Sequence, residues 1–494
     1  MFNRLKNIIE KIKTLNLSVE NYKQDSIIQS LPTVAYVNKA KKLIDKKKID
    51  DAEKLLLTAL DISNQDSRVF KYLGKISEFR KNFEKACSYY EESAYLNPQD
   101  KEIWLRLGMC QLSSKQYSTA IKSFEKADKI TPMNTDVQTG WGMALMRMKK
   151  YALAREKFAQ ACKISKYNYS AILLSAVMEI RLCDYEAAEE KLKFLTKVAP
   201  NESCNYEYAN LKLLKSDFKA AEQYAKKSLE YNKQMLPSYF VLGEVYSIQK
   251  DAEKTHQTYN MALKNGLDCD NLQFEWGKAC VRLFEFENAR QHFNNALEKN
   301  SQHADSKIGI ALLNALDNDF QLLDELREKN GNNVYIQEAI GLKCFHEGKF
   351  EDAIDMFKKA LKTDKIQNYN LLNIARAYEK LNNKDKVREY FEKFIIENPK
   401  YKCGLVEYAK WLIEISDFAD AKRKLSKAEK LDSNDCEVLN LMFYSSYRLV
   451  KENISEYNVK EAISIAQKTI NLGDFKYQSE KQDLENILKE IQEK

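Results

Sequence analysis

Residues 104–132 read WLRLGMCQLSSKQYSTAIKSFEKADKITP. Trp104, Leu107 and Gly108 open the stretch, Tyr117, Ala120, Phe124 and Ala127 continue it, and Pro132 closes it. Apolar residues at intervals of three and four place one stripe on each of two helices. Gly108 is small where the first helix presses on the second. Ala120 and Ala127 leave the same room from the other side, since a larger side chain would hold the helices apart. Tyr117 fills the gap where the second helix starts, and Pro132 cannot continue that helix.

The pattern repeats. Stepping 34 residues forward from Gly108, Ala120, Phe124 and Ala127 gives Gly142, Ala154, Phe158 and Ala161. Stepping back gives Gly74, Ala86, Tyr90 and Pro98. The frame returns in Trp276, Gly277, Phe286, Ala289, Phe293 and Ala296, and again in Gly341, Phe350, Ala353, Phe357 and Ala360. This period with these residue types resembles the tetratricopeptide repeat (TPR) family, in about 13 copies. They start near residues 33, 67, 101, 135, 169, 202, 236, 270, 304, 334, 368, 402 and 436. The resemblance implies an all-α fold, a right-handed superhelical solenoid of helix-turn-helix repeats, because no copy can bury its apolar stripe alone.

Three segments follow. Residues 1–32 are expected to form a basic amphipathic helix or cap, residues 33–475 the solenoid, and residues 476–494 a C-terminal capping helix with a thin apolar stripe. The copy at 304–333 is irregular. Its second half, QLLDELREKNGNN, lacks the packing alanines and ends in a turn-like run, so it is either a hinge or kink within 317–333 or a degenerate copy.

Composition agrees with a helical protein and narrows its chemistry. The 494 residues hold only 13 glycines and 6 prolines, with 44% hydrophobic and 31% charged residues, which disfavours strand-and-turn folds and disorder. No apolar run is long enough to span a membrane, and the charged N-terminus does not read as a secretory signal. Ten cysteines stand apart without a C-x-x-C pair, as buried hydrophobes do in a reducing compartment, so a cytoplasmic location is expected. The four histidines, His256, His292, His303 and His346, are isolated. No zinc spacing, nucleophile elbow or phosphate-cradling loop is present. The expectation is a protein that is not an enzyme and needs neither metal nor cofactor.

What remains is binding. In the TPR family, ligands lie along the concave face, lined by outward residues of each first helix. Here these positions are Leu105, Arg106, Met109, Leu112 and Ser113, then Thr139, Gly140, Met143, Met146 and Arg147, then Leu173, Leu174, Val177, Ile180 and Arg181. The resemblance thus implies a partner-binding groove of Leu105, Met109, Leu112, Met143, Met146, Arg147, Leu173, Val177, Ile180 and Arg181. Flexible methionines suit an adaptable apolar surface, with Arg147 and Arg181 at its rim. The alternative is that neighbouring turns or the N-terminal helix bury these ladders. Farther on, Lys278, Arg282, Arg376 and Lys410 alternate with Glu244, Glu275, Glu379, Glu407 and Glu414, as a solvated face would.

The known carboxylate clamp of co-chaperone repeats is absent from the first three copies, where Val37, Lys41, Tyr72, Glu102 and Arg106 occupy its places. The other candidate surface is the N-terminus. Residues 1–50 hold 11 Lys+Arg against 5 Asp+Glu. Phe2, Leu5, Ile8, Ile9, Ile12 and Leu15 share a helical face, with Arg4, Lys6, Lys11 and Lys13 elsewhere. Such a helix caps the first repeat, or meets an anionic membrane surface as a peripheral assembly factor or regulatory subunit would. The repeat body is near neutral and has no basic stripe with interleaved aromatics, which argues against nucleic acid. The favoured function is a protein–protein interaction scaffold.

Overall fold

Many first helices of the repeats start where a polar side chain accepts from the backbone. Asp100 takes the Glu102 N–H at 2.9 Å, and Asn134 takes those of Asp136 and Val137 at 2.9 and 3.2 Å. These bonds satisfy donors that a first helical turn leaves without partners. The helices so started include Ser67–Phe79, Lys101–Ser113, Thr135–Arg147 and Tyr169–Arg181, each beginning where the repeat frame expects it. They end at a residue in the left-handed region, such as Lys115 (φ 62°), Lys149 (φ 59°) or Gly348 (φ 76°). There the Gln116 N–H reaches back to the Gln111 carbonyl at 2.8 Å and the Lys115 N–H to that of Leu112 at 3.1 Å. This closure turns the chain into the second helix.

The computed structural model describes residues 21–364 and 368–493, with side chains from Thr33 onward. Among the described residues there are 27 helices and no strand, the all-α solenoid that the repeat implies. The helix Asn21–Asp45 runs across residues 32 and 33, where the sequence suggested a segment boundary. Arg4, Lys6, Lys11 and Lys13 lie outside the described residues. The chain divides into two compact units, residues 1–232 and 233–494, a division the repeat period does not announce.

Within each unit the same device joins neighbouring repeats. In unit 1, a Cβ on Gly108 would sit 2.7 Å from the Phe124 ring, and one on Gly140 2.6 Å from it. Glycines on two successive first helices therefore grip one buried ring. In unit 2, Gly277 and Gly309 hold Phe293 in the same way, at 2.6 and 2.5 Å. The glycine is small to admit a ring, which is more specific than the expected helix–helix approach. Where that glycine becomes Ala176 or Ala409, the ring becomes Leu192 or Leu425, which keeps the volume constant. Ala375 with Phe391 and Ala209 with Ala225 depart from this pairing.

The irregular copy of unit 2 is short in its second half. Its second helix, Gln321–Asn330, has ten residues, with only Leu323 buried. The first helices on either side, Ala304–Leu316 and Val334–His346, pack directly on each other. The last helix, Gln478–Gln492, buries Leu484 and lays Ile487, Leu488 and Ile491 on the end of the core.

Candidate binding groove

The inner face of unit 1 carries a hollow of about 320 Å³ lined by Glu78, Glu102, Leu105, Arg106, Met109, Asp136, Thr139, Gly140 and Met143. Of the groove residues named from sequence, it brings Leu105, Met109 and Met143 together. Met109 is 38% exposed, while Met143 is half-buried against the cluster around Phe158. Leu112 is half-buried beside Phe124, and Met146 and Val177 lean on the Phe158 cluster. Leu173 is half-buried, and Ile180 is only 7% exposed, packed with Leu192 and Tyr208. Arg147 and Arg181 stand exposed. The floor is therefore narrower than the ladder read from sequence: apolar around Met109 and Met143, with arginines farther along.

One end of the hollow is a charge network. Arg106 donates to Glu102 at 3.0 Å and to Glu78 at 3.1 Å, and Lys71 and Lys75 reach Glu102 at 2.5 and 2.7 Å. Burial pushes the Glu102 carboxyl up, but hydrogen bonds from Lys71, Lys75 and Arg106 outweigh it and hold it down at about 2. Asp136 is exposed at the opposite wall. One repeat beyond Leu173 and Leu174 on the same ladders come Tyr206 and Glu207. Burial pushes the Glu207 carboxyl up to about 7 against the pull of Arg181 and Asn210. One more step along the frame would have named both residues.

Unit 2 presents the same positions differently. Arg282 donates to Glu244 at 2.9 Å, and Lys278 pairs with Glu275 at 2.8 Å. Arg376 grips Glu407 through two bonds, at 2.6 and 2.7 Å, and Lys410 meets Glu437 at 2.6 Å. The alternating charges that read as a solvated face are largely paired with one another. Arg282 is only 8% exposed. A smaller hollow of about 290 Å³, lined by Phe286, Leu342, Phe345, Tyr369, Asn373 and Arg376 among others, lies on this face.

Among the described residues, His256, Cys280 and Glu285 come close enough to hold a metal, with ligand atoms within 4.8 Å of one another. Their hydrogen bonds oppose that use. Trp276 Nε1 donates to His256 Nδ1 at 2.9 Å, and an indole N–H can only donate. The neutral ring therefore carries its proton on Nε2, where it donates to Glu285 Oε2 at 2.8 Å. A metal on Nε2 would require both ring nitrogens to be bare. Burial pushes the Cys280 thiol well up, away from the thiolate that binds metal. No helix among the described residues is long and apolar enough to cross a membrane.

Three family models match the chain. The TPR domain of cytochrome c-type biogenesis protein H aligns with residues 93–206, and two tetratricopeptide repeat models align with residues 369–401 and 73–100. No curated protein matches the chain. Among solved structures, the APC/C hetero-tetramer Cut9–Hcn1 is 11% identical with a TM-score of 0.56, over 93% of this chain and 96% of that one. PilF of Pseudomonas aeruginosa is 17% identical with a TM-score of 0.37, over 42% of this chain and 96% of that one. A tetratricopeptide repeat protein of Parabacteroides merdae is 14% identical with a TM-score of 0.41, over 57% of this chain and 98% of that one. At these identities the first likeness is one of fold, and the other two carry no argument.

Proposed function

The chain is a tetratricopeptide repeat protein, and from that premise we propose that it is a non-enzymatic scaffold holding protein partners in the groove of unit 1. The observation that carries this reading is the hollow floored by Leu105, Met109 and Met143. It offers apolar area on a concave face, next to fixed charges on Glu102 and Arg106 that give a partner segment its register. Unbranched methionines adapt to more than one apolar side chain, which suits a helix or peptide anchored by a few residues. The exposed Arg147 and Arg181 would meet an acidic group farther along the same segment.

The test is affinity capture from the native cell, with wild type compared with Met109→Glu/Met143→Glu. Circular dichroism must show both folded. A partner captured by wild type and lost by the folded variant supports the groove. Identical partners on both remove it as the site.

A second reading rests on the sequence of residues 1–30 alone, a basic amphipathic segment suited to an anionic membrane surface. Flotation with anionic liposomes, comparing the full chain with one lacking those residues, decides it. Equal flotation of the two, or none, ends the membrane reading. A cytoplasmic location is supported by ten cysteines that are all unpaired. Titration under denaturing conditions of protein from the native cell should count ten free thiols, and a shortfall from disulfides would overturn that placement.

A further inference from the structure

The residue closing the first helix of most repeats sits in the left-handed region, and elsewhere it is a small or unbranched one, such as Lys115, Lys149, Cys183, Ser216, Lys250, Asn318 or Gly348. In the copy starting at Asp270 it is Phe284, with φ 64°. A bulky ring there is strained and persists only where surrounding contacts over-determine it. Those contacts come from far along the chain. The Phe284 ring lies 4.6 Å from Tyr401, 5.3 Å from Tyr369 and 6.0 Å from Phe394, centroid to centroid, and Phe286 adds Tyr369 at 5.2 Å. These partners belong to repeats three to four copies later in unit 2.

One turn earlier, Lys250 sets its ammonium 4.0 Å above the Phe284 ring and donates to the Arg282 carbonyl. Beside this junction the two lips do not seal. A cleft of about 430 Å³ remains, lined by Gln249, Lys250, Phe284, Glu397, Asn398 and Tyr401 among others. The junction is thus a pin seated in an aromatic socket with an open seam beside it. The two units also differ at one repeat position. Arg147 and Arg181 are exposed there, whereas Arg282, one residue before the turn that carries the pin, is buried.

We propose that Phe284 is the pin of an intramolecular clasp that holds the inner face of unit 2 shut, and that withdrawing its ring from the Tyr369–Phe394–Tyr401 socket opens that face to solvent and ligand. Nothing in this inference depends on the unit 1 groove.

The test uses the full chain with orthogonal, ketone-coupled spin labels at Gln249 and Lys400, one on each lip. Wild type should give one narrow distance, and phenylglyoxal should leave Arg282 unmodified. Phe284→Gly removes the ring while giving the turn the residue its backbone favours. It should add a second, longer distance and make Arg282 reactive, with circular dichroism unchanged. Tyr401→Ser, which empties the socket from the other side, should do the same, and it decides the matter if the glycine variant misfolds. Phe284→Gly with the narrow distance kept, Arg282 still protected and thermal stability raised would overturn the clasp, because the ring would then be strain without purpose. Lys115→Gly in unit 1 is the control for the relaxed turn.

Discussion

Arg147 in unit 1 and Arg282 in unit 2 occupy the same place on the first helix of their repeats, yet one is exposed and the other is 8% exposed and bound to Glu244. The surrounding repeats are built alike. Phe124 sits between Gly108 and Gly140 as Phe293 sits between Gly277 and Gly309. What differs is the longer-range contact. In unit 2 the short helix Gln321–Asn330 lets its neighbours close up, and the Phe284 turn meets residues three to four repeats on. The lesson is that stacking within a repeat sets the fold, while contacts between distant repeats decide which inner face is a surface at all.

The largest effect tests the likeness. Phe124→Ala should cost about 3–5 kcal/mol, since it empties a cavity gripped by two glycines. Phe293→Ala should cost the same within about 1 kcal/mol, because the two sites share one geometry. Denaturant unfolding followed by circular dichroism, with the two transitions resolved, measures both. A much larger loss in unit 2 would mean that its long-range contacts also support Phe293.

The next prediction turns on a buried carboxyl of unit 2. Glu338 is buried and accepts from Asn370 Nδ2 at 3.1 Å, with Tyr335 and Tyr369 nearby. Burial pushes its carboxyl up to about 7 from an ordinary 4.5. Between those values the folded protein keeps a proton that the unfolded chain has released. Stability from this group therefore falls as pH rises through the window, and the cost is complete above about 7. Glu338→Gln keeps the acceptor and removes the charge. It should leave stability unchanged at pH 4 and raise it at pH 8, by at most roughly 3 kcal/mol. Thermal melts across that range check the sign, and a pH-independent difference would mean that Glu338 has another partner.

Much of the fold was legible because its cause is local. The 34-residue spacing of Gly108, Phe124 and their successors encodes contacts between adjacent helices, so the frame located the starts at Lys101, Thr135, Tyr169 and Glu202. The groove was legible only in outline. Met109 and Met143 fall together, but Ile180 is buried, because the exposure of an inner position depends on how far the repeats curl. In unit 2 one unusual residue, Phe284, meets Tyr369 and Tyr401, partners three repeats on that the 34-residue spacing does not point to. A phenylalanine where other copies carry lysine, asparagine, serine, cysteine or glycine was the available signal. It is readable only once the turn position is known to be left-handed.

Matched arginine substitutions sharpen the contrast further. Arg282→Ala leaves Glu244 in a partly buried site without its cation. It should cost about 2 kcal/mol, less than a fully buried pair would, because the Glu244 side chain keeps 29% exposure. Arg147→Ala should stay within about 0.5 kcal/mol, as surface changes usually do. Equal small losses would show that the inner face of unit 2 is already open in solution.

The smallest stability effect belongs to the residue on which the proposed function leans most. Met109 is the most exposed apolar side chain in the unit 1 hollow, so Met109→Glu removes little packing and should change stability by no more than about 0.5 kcal/mol. The same charge would stand on the floor where a partner's apolar anchor has to be desolvated. Burying it there without a counter-charge is costly enough to abolish capture. Lys278→Glu, at the equivalent position in unit 2, should leave capture unchanged, because that face is closed and its charges are already paired. Parallel capture with the two variants separates a groove that binds from one that does not. Loss of partner with Lys278→Glu instead would move the binding site to unit 2.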